Sequence, residues 1–255
     1  MIRWWFNPAY RGQPAEGVFA DIDRAFAAEG EPITRDILGY VERVTAGATR
    51  FYVKRYQGNG RTPFRNWFGL RAWFGLQRVK REWENLLAFQ SWGIPTAIPV
   101  AYGLERRFGA FVRGALVTEE LKGTRDLADL ALSGDLRLQD RPWVSAVLHQ
   151  VARATRSMHA AGFAHNDLKW RNLLVDDSPQ PTVYFIDCPT GQYWWGVFLR
   201  YRIVKDLACL DKLGKYHLSR SQRLRFYLDY VGRSRLSAED KTRIRKILAF
   251  FEGRE

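Results

Sequence analysis

The chain of 255 residues has very few cysteines and no long apolar run. Its two cysteines, Cys188 and Cys209, have neither metal-ligand spacing nor a CxxC partner, which argues against a disulfide framework and a cysteine-based metal site. The first residues lack the apolar stretch of a signal peptide, and no segment approaches the roughly 20 apolar residues that a membrane-spanning helix requires. We therefore expect a cytoplasmic protein that does not cross a membrane.

Acidic residues are scarce relative to basic ones. The chain has 40 Lys and Arg against 27 Asp and Glu, which gives a net charge of +13 and a pI near 10.0. This charge favours a polyanionic partner, whether nucleic acid, an anionic membrane surface, or a phosphorylated glycan or lipid. The apolar fraction of 46% is typical of a globular protein and excludes disorder as the dominant state.

Strand-like segments precede helical segments along the chain. Residues 37–44 and 50–56 are rich in β-branched and aromatic residues and flank a glycine turn, which predicts an antiparallel hairpin. Apolar residues at helical spacing predict amphipathic helices over residues 77–90 and 142–160, and the chain from about Val204 is predicted to be helical. Strands followed by helices predict an α+β fold with two lobes.

The segment His165–Asn172 carries the most specific motif. It matches the kinase pattern H-x-D-L-K-x-x-N, and Asp187 follows Asn172 by fifteen residues at the end of a strand-like run. In phosphoryl transfer, Asp167 would orient the attacking hydroxyl and accept its proton, while Lys169 would offset charge on the transferred group. Asn172 and Asp187 would hold Mg²⁺, a hard cation that prefers oxygen ligands. We assign His165 a structural role beneath this loop rather than a catalytic one.

Upstream residues supply candidate nucleotide contacts. Lys54 lies in a predicted strand at the position where a kinase places its phosphate-contacting lysine. Glu82, early in the following helix, is the expected partner of Lys54, although Glu84, roughly 200° around the helix, competes for this role. The backbone at Glu119 and Leu121, where a predicted strand ends, is a candidate for contacts with adenine. The equal alternative is that the strand simply ends there, without a role in nucleotide binding.

These residues resemble the lipopolysaccharide core kinases, which phosphorylate heptose or Kdo sugars of the inner core in Gram-negative bacteria. The resemblance covers most of residues 37–210 and rests on Phe51–Tyr56, Arg81–Leu87, Gly93–Thr96, Ala164–Val175, Phe185–Asp187 and Lys205–Ala208. It implies a protein-kinase-like fold, ATP and Mg²⁺ as cofactors, and the site roles given above, with Glu82 rather than Glu84 as the partner of Lys54.

Several departures from the protein-kinase pattern narrow the function. No G-x-G-x-x-G precedes Lys54, Asn166 replaces the Arg that pairs with a phosphorylated loop in many regulated kinases, and Cys188 and Pro189 replace Phe-Gly. These departures favour a small-molecule or glycolipid kinase over a regulated protein kinase. Asp206 is either an anchor for the catalytic-loop backbone or a helix cap.

We divide the chain into an extension and two lobes. Residues 1–32, punctuated by glycine and proline, are interpreted as an N-terminal extension. Residues 33–121 are predicted to form the nucleotide-binding N-lobe, with a basic aromatic insertion at residues 57–76. Residues 122–255 are predicted to form the C-lobe, with the catalytic loop and the acceptor site.

Two segments combine cations with aromatic residues. Residues 50–81 contain nine Lys or Arg and no acid, and a second aromatic cluster follows Asp187 at residues 193–202. Such side chains stack on bases in nucleic-acid sites, or enter a lipid interface while the cations meet anionic headgroups. A third interpretation is ordinary core packing. For the insertion at residues 57–76 we favour membrane contact, and we expect no nucleic acid partner.

The sequence thus predicts an ATP-dependent kinase that phosphorylates a heptose or Kdo hydroxyl of the lipopolysaccharide inner core. The expected partners are the core glycolipid and an anionic membrane surface, with the protein peripheral on the inner face of the inner membrane. The alternatives are a small-molecule or protein kinase of the same fold, or a non-catalytic pseudokinase that binds an anionic partner. The net charge of +13 opposes the acidic pockets that cationic small-molecule acceptors need.

Overall fold

The computed structural model describes residues 1–35, 39–58 and 78–253. The chain forms two compact units. The first comprises Met1–Leu87 and Ala97–Leu121, and the second comprises Ala88–Thr96 and Lys122–Glu255. The chain passes from one unit to the other three times, so neither unit is a single continuous segment.

An antiparallel sheet forms the centre of the first unit. Within the described residues its strands are β1 (Ile2–Phe6), β2 (Glu31–Arg35), β3 (Gly39–Ala46), β4 (Thr49–Gln57), β5 (Pro99–Arg107) and β6 (Ala110–Glu119). They lie in the order β1-β5-β6-β4-β3-β2. Phe51 and Val53 on β4 are buried with Ala115 and Val117 on β6, which is the period of two expected for one face of a sheet.

The predicted hairpin is formed by β3 and β4. Val41 lies opposite Lys54, and Gly47 in the turn has a φ of +62°, a conformation that glycine adopts at little cost. Successive side chains of a strand point to opposite faces. Lys54 and the buried Arg55 are therefore on different faces of the sheet.

Residues 1–32 are an integral part of the first unit rather than an extension from it. Strand β1 pairs with β5, with Trp4 opposite Gly103. A β-carbon on Gly103 would lie 2.2 Å from the Arg3 carbonyl oxygen, so only glycine permits this approach. The sequence conceals β1 because its partner strand lies far along the chain, where no local pattern reports the pairing.

Two short helices complete the N-terminal part of this unit. They are α1 (Pro14–Phe19) and α2 (Ile22–Ala27), and Phe19 is fully buried. The guanidinium of Arg55 is also buried and donates to the carbonyl oxygen of Ala25 at 2.8 Å. A buried cation requires hydrogen-bond partners, and α2 supplies one of them. Arg55 on β4 thereby ties α2 to the sheet.

The other face of the sheet packs against helix α3 (Arg78–Ser91), which matches the prediction within the described residues. Val79 and Leu86 are buried against Leu116 of β6. Glu82 lies between them on the same side of the helix, because residues three and four apart share a face. It is 2% exposed.

The second unit is mainly helical. Its helices are α4 (Leu127–Leu132), α5 (Arg141–Ala160), α6 (Gly196–His217), α7 (Arg220–Val231) and α8 (Ala238–Leu248). Helix α5 matches its prediction, with Val144, Val147, Val151 and Met158 buried along one stripe. The sequence predicts a helix from about Val204, whereas helix α6 begins earlier, at Gly196. The aromatic and β-branched residues at its start are also common in strands, which conceals the start of the helix in the sequence.

Short strands frame the loops of the second unit. They are β7 (Thr124–Asp126), β8 (Phe163–Ala164), β9 (Leu173–Asp176), β10 (Val183–Phe185) and β11 (Gln192–Tyr193). They form two small sheets in the orders β10-β9-β7 and β11-β8. The α+β prediction is confirmed. In the part of the chain that the structure describes, no helix is both long and apolar enough to span a bilayer.

Candidate active site

The catalytic-loop motif forms a compact turn in the second unit. The loop leaves β8 and enters a 3-10 helix at Trp170–Asn172. Asn172 Nδ2 donates to the Asp167 carbonyl oxygen at 2.8 Å and lies 3.5 Å from Asp167 Oδ2. Lys169 Nζ lies 2.5 Å from Asp167 Oδ1. The predicted acid, cation and amide of the motif are therefore brought together.

Asp206 anchors the backbone of this loop. Its carboxylate, fully buried in the middle of α6, accepts hydrogen bonds from the backbone N–H of His165 at 2.7 Å and of Asn166 at 2.9 Å. Asn166 has a φ of +67°, and Lys205 Nζ donates to its carbonyl oxygen at 2.8 Å. The sequence leaves Asp206 open between an anchor and a helix cap, and the structure makes it an anchor.

A histidine and a tyrosine extend this buried network away from the loop. His159 Nε2 lies 3.4 Å from Asp206 Oδ2, and His159 Nδ1 lies 2.9 Å from the hydroxyl of Tyr230. Burial raises the pKa of Tyr230 above its usual range, so its hydroxyl remains protonated. Asp206 is thus supported from α5 and α7 as well as from its own helix, a connection that the sequence does not reveal.

The loop carrying Asp187 is joined to the catalytic loop by the backbone. Ile186 N–H donates to the Asn172 carbonyl oxygen at 3.0 Å, which places Asp187 directly after a hydrogen bond to the other candidate metal ligand. Asp187 has a φ of +56°, a left-handed conformation that is uncommon for residues other than glycine. Backbone strain of this kind often occurs at functional sites.

His165 lies beneath the site. Its ring is fully buried and stacks against Phe89 with 6.1 Å between ring centroids. Burial lowers the pKa of His165, against the opposing effect of the charges on Asp206, Asp167 and Asp187. A neutral, buried imidazole fits the supporting role predicted for it.

The segment after Asp187 is attached to the catalytic loop without a phosphorylated residue. Asn166 Nδ2 donates to the Thr190 carbonyl oxygen at 2.8 Å. A β-carbon on Gly191 would lie 2.3 Å from the sulfur of Cys188, which shows how closely this segment packs. The residue that replaces the regulatory Arg therefore makes a direct structural contact instead.

The candidate metal ligands fit Mg²⁺ by their chemistry. Among the described residues, no group of three or more His, Cys, Asp or Glu forms a metal site. Mg²⁺ is commonly held by one or two carboxylates, with water and substrate phosphates completing its coordination. Asn172 uses its Nδ2 for Asp167, which leaves its Oδ1 oriented as an acceptor or ligand. One carboxylate and one amide oxygen match that requirement.

The first unit holds the predicted phosphate-contacting lysine. Lys54 Nζ lies 2.5 Å from Glu82 Oε1, and the hydroxyl of Tyr56 donates to Glu82 Oε2 at 3.1 Å. Glu84 instead pairs with Lys80 at 3.3 Å on the exposed side of α3. The structure therefore selects Glu82 over Glu84. Sequence analysis missed Tyr56, although its position two residues after Lys54 places both on one face of β4.

The candidate adenine contacts lie at the end of β6. The Glu119 N–H already donates to the Ile98 carbonyl oxygen at 3.0 Å, and its carboxylate accepts from the Tyr10 hydroxyl. The neighbouring Glu120 carboxylate contacts Arg50. Glu119 thus has its own N–H and side chain engaged, and a nucleotide role for Glu119 and Leu121 stays a prediction. The predicted insertion, apart from Gln57 and Gly58, lies outside the described residues.

Comparisons with known proteins agree on one family. Residues 30–230 match the model of the lipopolysaccharide kinase (Kdo/WaaP) family. A 3-deoxy-D-manno-octulosonic acid kinase of Vibrio parahaemolyticus is 27% identical over 110 residues, which is 43% of this chain and 42% of the relative. The lipopolysaccharide core heptose(I) kinase WaaP of Pseudomonas aeruginosa is 32% identical over 163 residues, which is 61% of this chain and 60% of the relative.

The chain thus spans about two fifths and three fifths of the length of these curated relatives. Among solved structures, one described as WaaP in complex with acyl carrier protein superposes with a TM-score of 0.73 at 23% identity. That match covers 98% of this chain and 97% of the other. The similarity shows that the two proteins share a fold.

Proposed function

The chain belongs to the lipopolysaccharide kinase (Kdo/WaaP) family, and from this premise we propose that it transfers the γ-phosphoryl group of ATP to a sugar hydroxyl of the lipopolysaccharide inner core. The acceptor is a heptose or a Kdo, the sugars acted on by the two relatives. The observation that carries the proposal is the catalytic loop, in which Asp167, Lys169 and Asn172 are in mutual contact.

In the second unit, Asp167 orients the attacking hydroxyl and accepts its proton. Its side chain is 30% exposed, so an acceptor can reach it, and Lys169 and Asn172 fix its position. Lys169, held beside Asp167, offsets the negative charge that develops on the transferred phosphoryl group. A preorganised cation is effective in this role because it needs little reorganisation during the reaction.

Asn172 and Asp187 hold Mg²⁺ in this proposal. Bound Mg²⁺ supplies charge neutralisation at the phosphates. The two residues contribute an amide oxygen and a carboxylate, and the hydrogen bond from Ile186 N–H to the Asn172 carbonyl oxygen keeps their loops together at 3.0 Å.

In the first unit, Lys54 contacts the phosphates of ATP. Its partner Glu82 is 2% exposed and is also held by the hydroxyl of Tyr56, so the lysine is aimed by a fixed carboxylate. The backbone at Glu119 and Leu121 is proposed to contact the adenine.

The acceptor also sets the proposed location. A core glycolipid resides in a membrane, and the net charge of +13 favours an anionic surface. We therefore propose a cytoplasmic protein that is peripheral on the inner face of the inner membrane. The Arg of regulated protein kinases is replaced by Asn166, which bonds to Thr190 instead. This departure favours a glycolipid acceptor over a protein substrate.

The test is phosphoryl transfer from ATP to lipopolysaccharide that lacks inner-core phosphate. Asp167→Asn keeps the shape of the side chain and removes the proton acceptor, so we expect transfer to fall by roughly 10³-fold. ATP binding, followed by calorimetry with Mg²⁺ present, should remain close to that of the unmodified protein. Asp177→Asn, which changes an exposed aspartate paired with Arg137, is the matched control. Substantial transfer by the Asp167 variant would contradict the proposed role.

An acyl carrier protein is a further proposed partner. The second unit contains a cavity of about 520 Å³ lined mainly by apolar residues, among them Leu127, Trp143, Val147, Leu210 and Leu224. An acyl chain fits an apolar cavity of this kind, and the fold neighbour is described as a complex with acyl carrier protein. Val147→Trp should fill the space and weaken binding of acylated carrier protein in calorimetry. Equal binding by the variant would count against this partner.

A further inference from the structure

The start of helix α6 exposes large apolar side chains in the second unit. Tyr193, Trp195, Val197, Phe198 and Tyr201 are 58, 76, 62, 61 and 49% exposed. We refer to these five residues as the aromatic surface. Single exposed apolar residues are ordinary, whereas a contiguous set marks an interaction surface.

Helix geometry groups the three members of the aromatic surface that lie on α6, and the other two precede the helix. Trp195 is the N-cap of α6, so it directly precedes the first turn. Val197, Phe198 and Tyr201 are one and four positions apart, which confines them to an arc of roughly 100° around the helix. The ring of Tyr201 also lies 5.6 Å from that of Phe250, which extends the apolar area beyond α6.

Cations accompany the aromatic surface, and acids are missing from the same stretch of sequence. Residues 191–205 contain Arg200, Arg202 and Lys205 but no Asp or Glu. Arg200 is exposed, and the guanidinium of Arg202 lies 4.5 Å from the ring centroid of Trp194. Lys205 is engaged by the catalytic loop, so the two arginines provide the positive charge. Aromatic side chains edged by arginine are suited to a lipid interface, where the rings lie among acyl chains and the cations meet headgroups.

The surface is directly connected to the candidate catalytic machinery of this unit. Strand β11, which ends at Tyr193, pairs with β8, and β8 leads into the catalytic loop. Tyr193 lies opposite Phe163, two residues before His165. A surface attached in this way would bring the loop carrying Asp167 close to any membrane that it contacts.

We propose that the aromatic surface docks the protein on an anionic lipid bilayer. The proposal rests on the proposed function, because a kinase for a core glycolipid must work at a membrane. An anionic bilayer is favoured over a second copy of the chain because the patch is basic, and two copies would bring like charges together.

The test is sedimentation of the full chain with vesicles, in the absence of ATP. Vesicles of phosphatidylcholine alone are compared with vesicles that also contain phosphatidylglycerol. Removing two large exposed side chains, in Trp195→Ser with Phe198→Ser, should lower the partition coefficient about tenfold or more. Arg200→Gln should weaken binding only to the anionic vesicles, and the loss should shrink as salt is added.

Two controls make the result specific. Leu132→Ser with Leu136→Ser removes apolar side chains that are also exposed on the second unit, at 80 and 75%, but lie outside the aromatic surface. This variant should bind vesicles as the unmodified protein does. Thermal unfolding of every variant shows whether the fold is retained. Unchanged vesicle binding by the folded Trp195 and Phe198 variant would overturn the proposal.

Two further measurements separate this inference from the proposed function. In sedimentation velocity without lipid, a dimer that the aromatic variant abolishes would make the surface a protein interface and overturn lipid docking. With detergent-dispersed lipopolysaccharide, the unmodified protein and the aromatic variant should both transfer phosphate. Failure of the unmodified protein there would reject the kinase proposal, whereas normal transfer with unaltered vesicle binding would reject only the docking surface.

Discussion

The catalytic loop of the second unit and Lys54 of the first unit are held in place by different means. The loop is fixed through its backbone, with two N–H groups bound to the buried carboxylate of Asp206 and a carbonyl bound to Lys205. Lys54 is held through its side chain, in an ion pair with Glu82. Glu82 in turn is held by Tyr56.

This difference matches the two chemical tasks in the proposed function. A proton acceptor must keep its position relative to the hydroxyl, so backbone hydrogen bonds to a buried anchor suit Asp167. A phosphate-contacting cation must reach its ligand while its partner still orients it, and a side-chain ion pair permits both. We therefore expect a large loss of stability and turnover when the anchor Asp206 is removed. Changes around the ion pair of Lys54 and Glu82 should give smaller, graded losses.

The largest effect in this comparison is expected for Asp206→Ala. It leaves two buried N–H groups without their acceptor, at a cost of about 1–3 kcal/mol each in the free energy of unfolding. The turnover number should fall as well, because the loop loses its position. Chemical denaturation and steady-state kinetics measure the two effects.

Asp211→Ala is the matched control for this prediction, because it removes a carboxylate from the same helix that pairs only with Arg223 among the contacts described. Its expected loss is about 1 kcal/mol or less, with turnover unchanged. If Asp206→Ala does not fold, Asp206→Asn retains one acceptor oxygen and should give an intermediate loss. Equal turnover in the Asp206 and Asp211 variants would refute the anchoring role.

A smaller effect is expected for Glu82→Gln. This change removes the charge that aims Lys54, and hydrogen bonds to charged groups are worth about 1.5–3 kcal/mol. We expect kcat/KM for ATP to fall about ten- to hundredfold. Glu84→Gln, on the exposed side of the same helix, should have no measurable effect. Similar losses in both variants would mean that α3 as a whole, rather than the ion pair, is responsible.

The smallest effect is expected for Tyr56→Phe. It removes one hydroxyl from Glu82 at 3.1 Å, which corresponds to about 0.5–1.5 kcal/mol, or a two- to tenfold loss in kcat/KM. The double variant with Glu82→Gln should lose less than the sum of the two single changes, because both act through one carboxylate. Strictly additive losses would show that Tyr56 acts independently of Glu82.

The local motif was predictable, and its long-range supports were not. His165–Asn172 and Asp187 follow a fixed spacing that is visible in the sequence, and the hairpin and α5 follow hydrophobic patterns. Asp206 remained open because its partners lie about forty residues earlier, where no spacing rule applies. Strand β1 was missed for the same reason.

The choice between Glu82 and Glu84 shows the limit of prediction from sequence within a single helix. Both residues are acidic and two positions apart, and the apolar stripe of α3 does not distinguish them. Packing of Val79 and Leu86 against Leu116 sets the rotation of the helix and buries Glu82. Tertiary contacts therefore decide which carboxylate meets Lys54, and the resemblance to the family was needed to anticipate it.

The central claim is that this chain adds one phosphate to the inner core of lipopolysaccharide. Mass spectrometry of core oligosaccharide from cells with the gene, without it, and with the Asp167→Asn variant tests that claim most directly. The proposal predicts the loss of one phosphate in both the deletion and the variant, and its return with the unmodified gene. The same number of phosphates in all of these samples would contradict it.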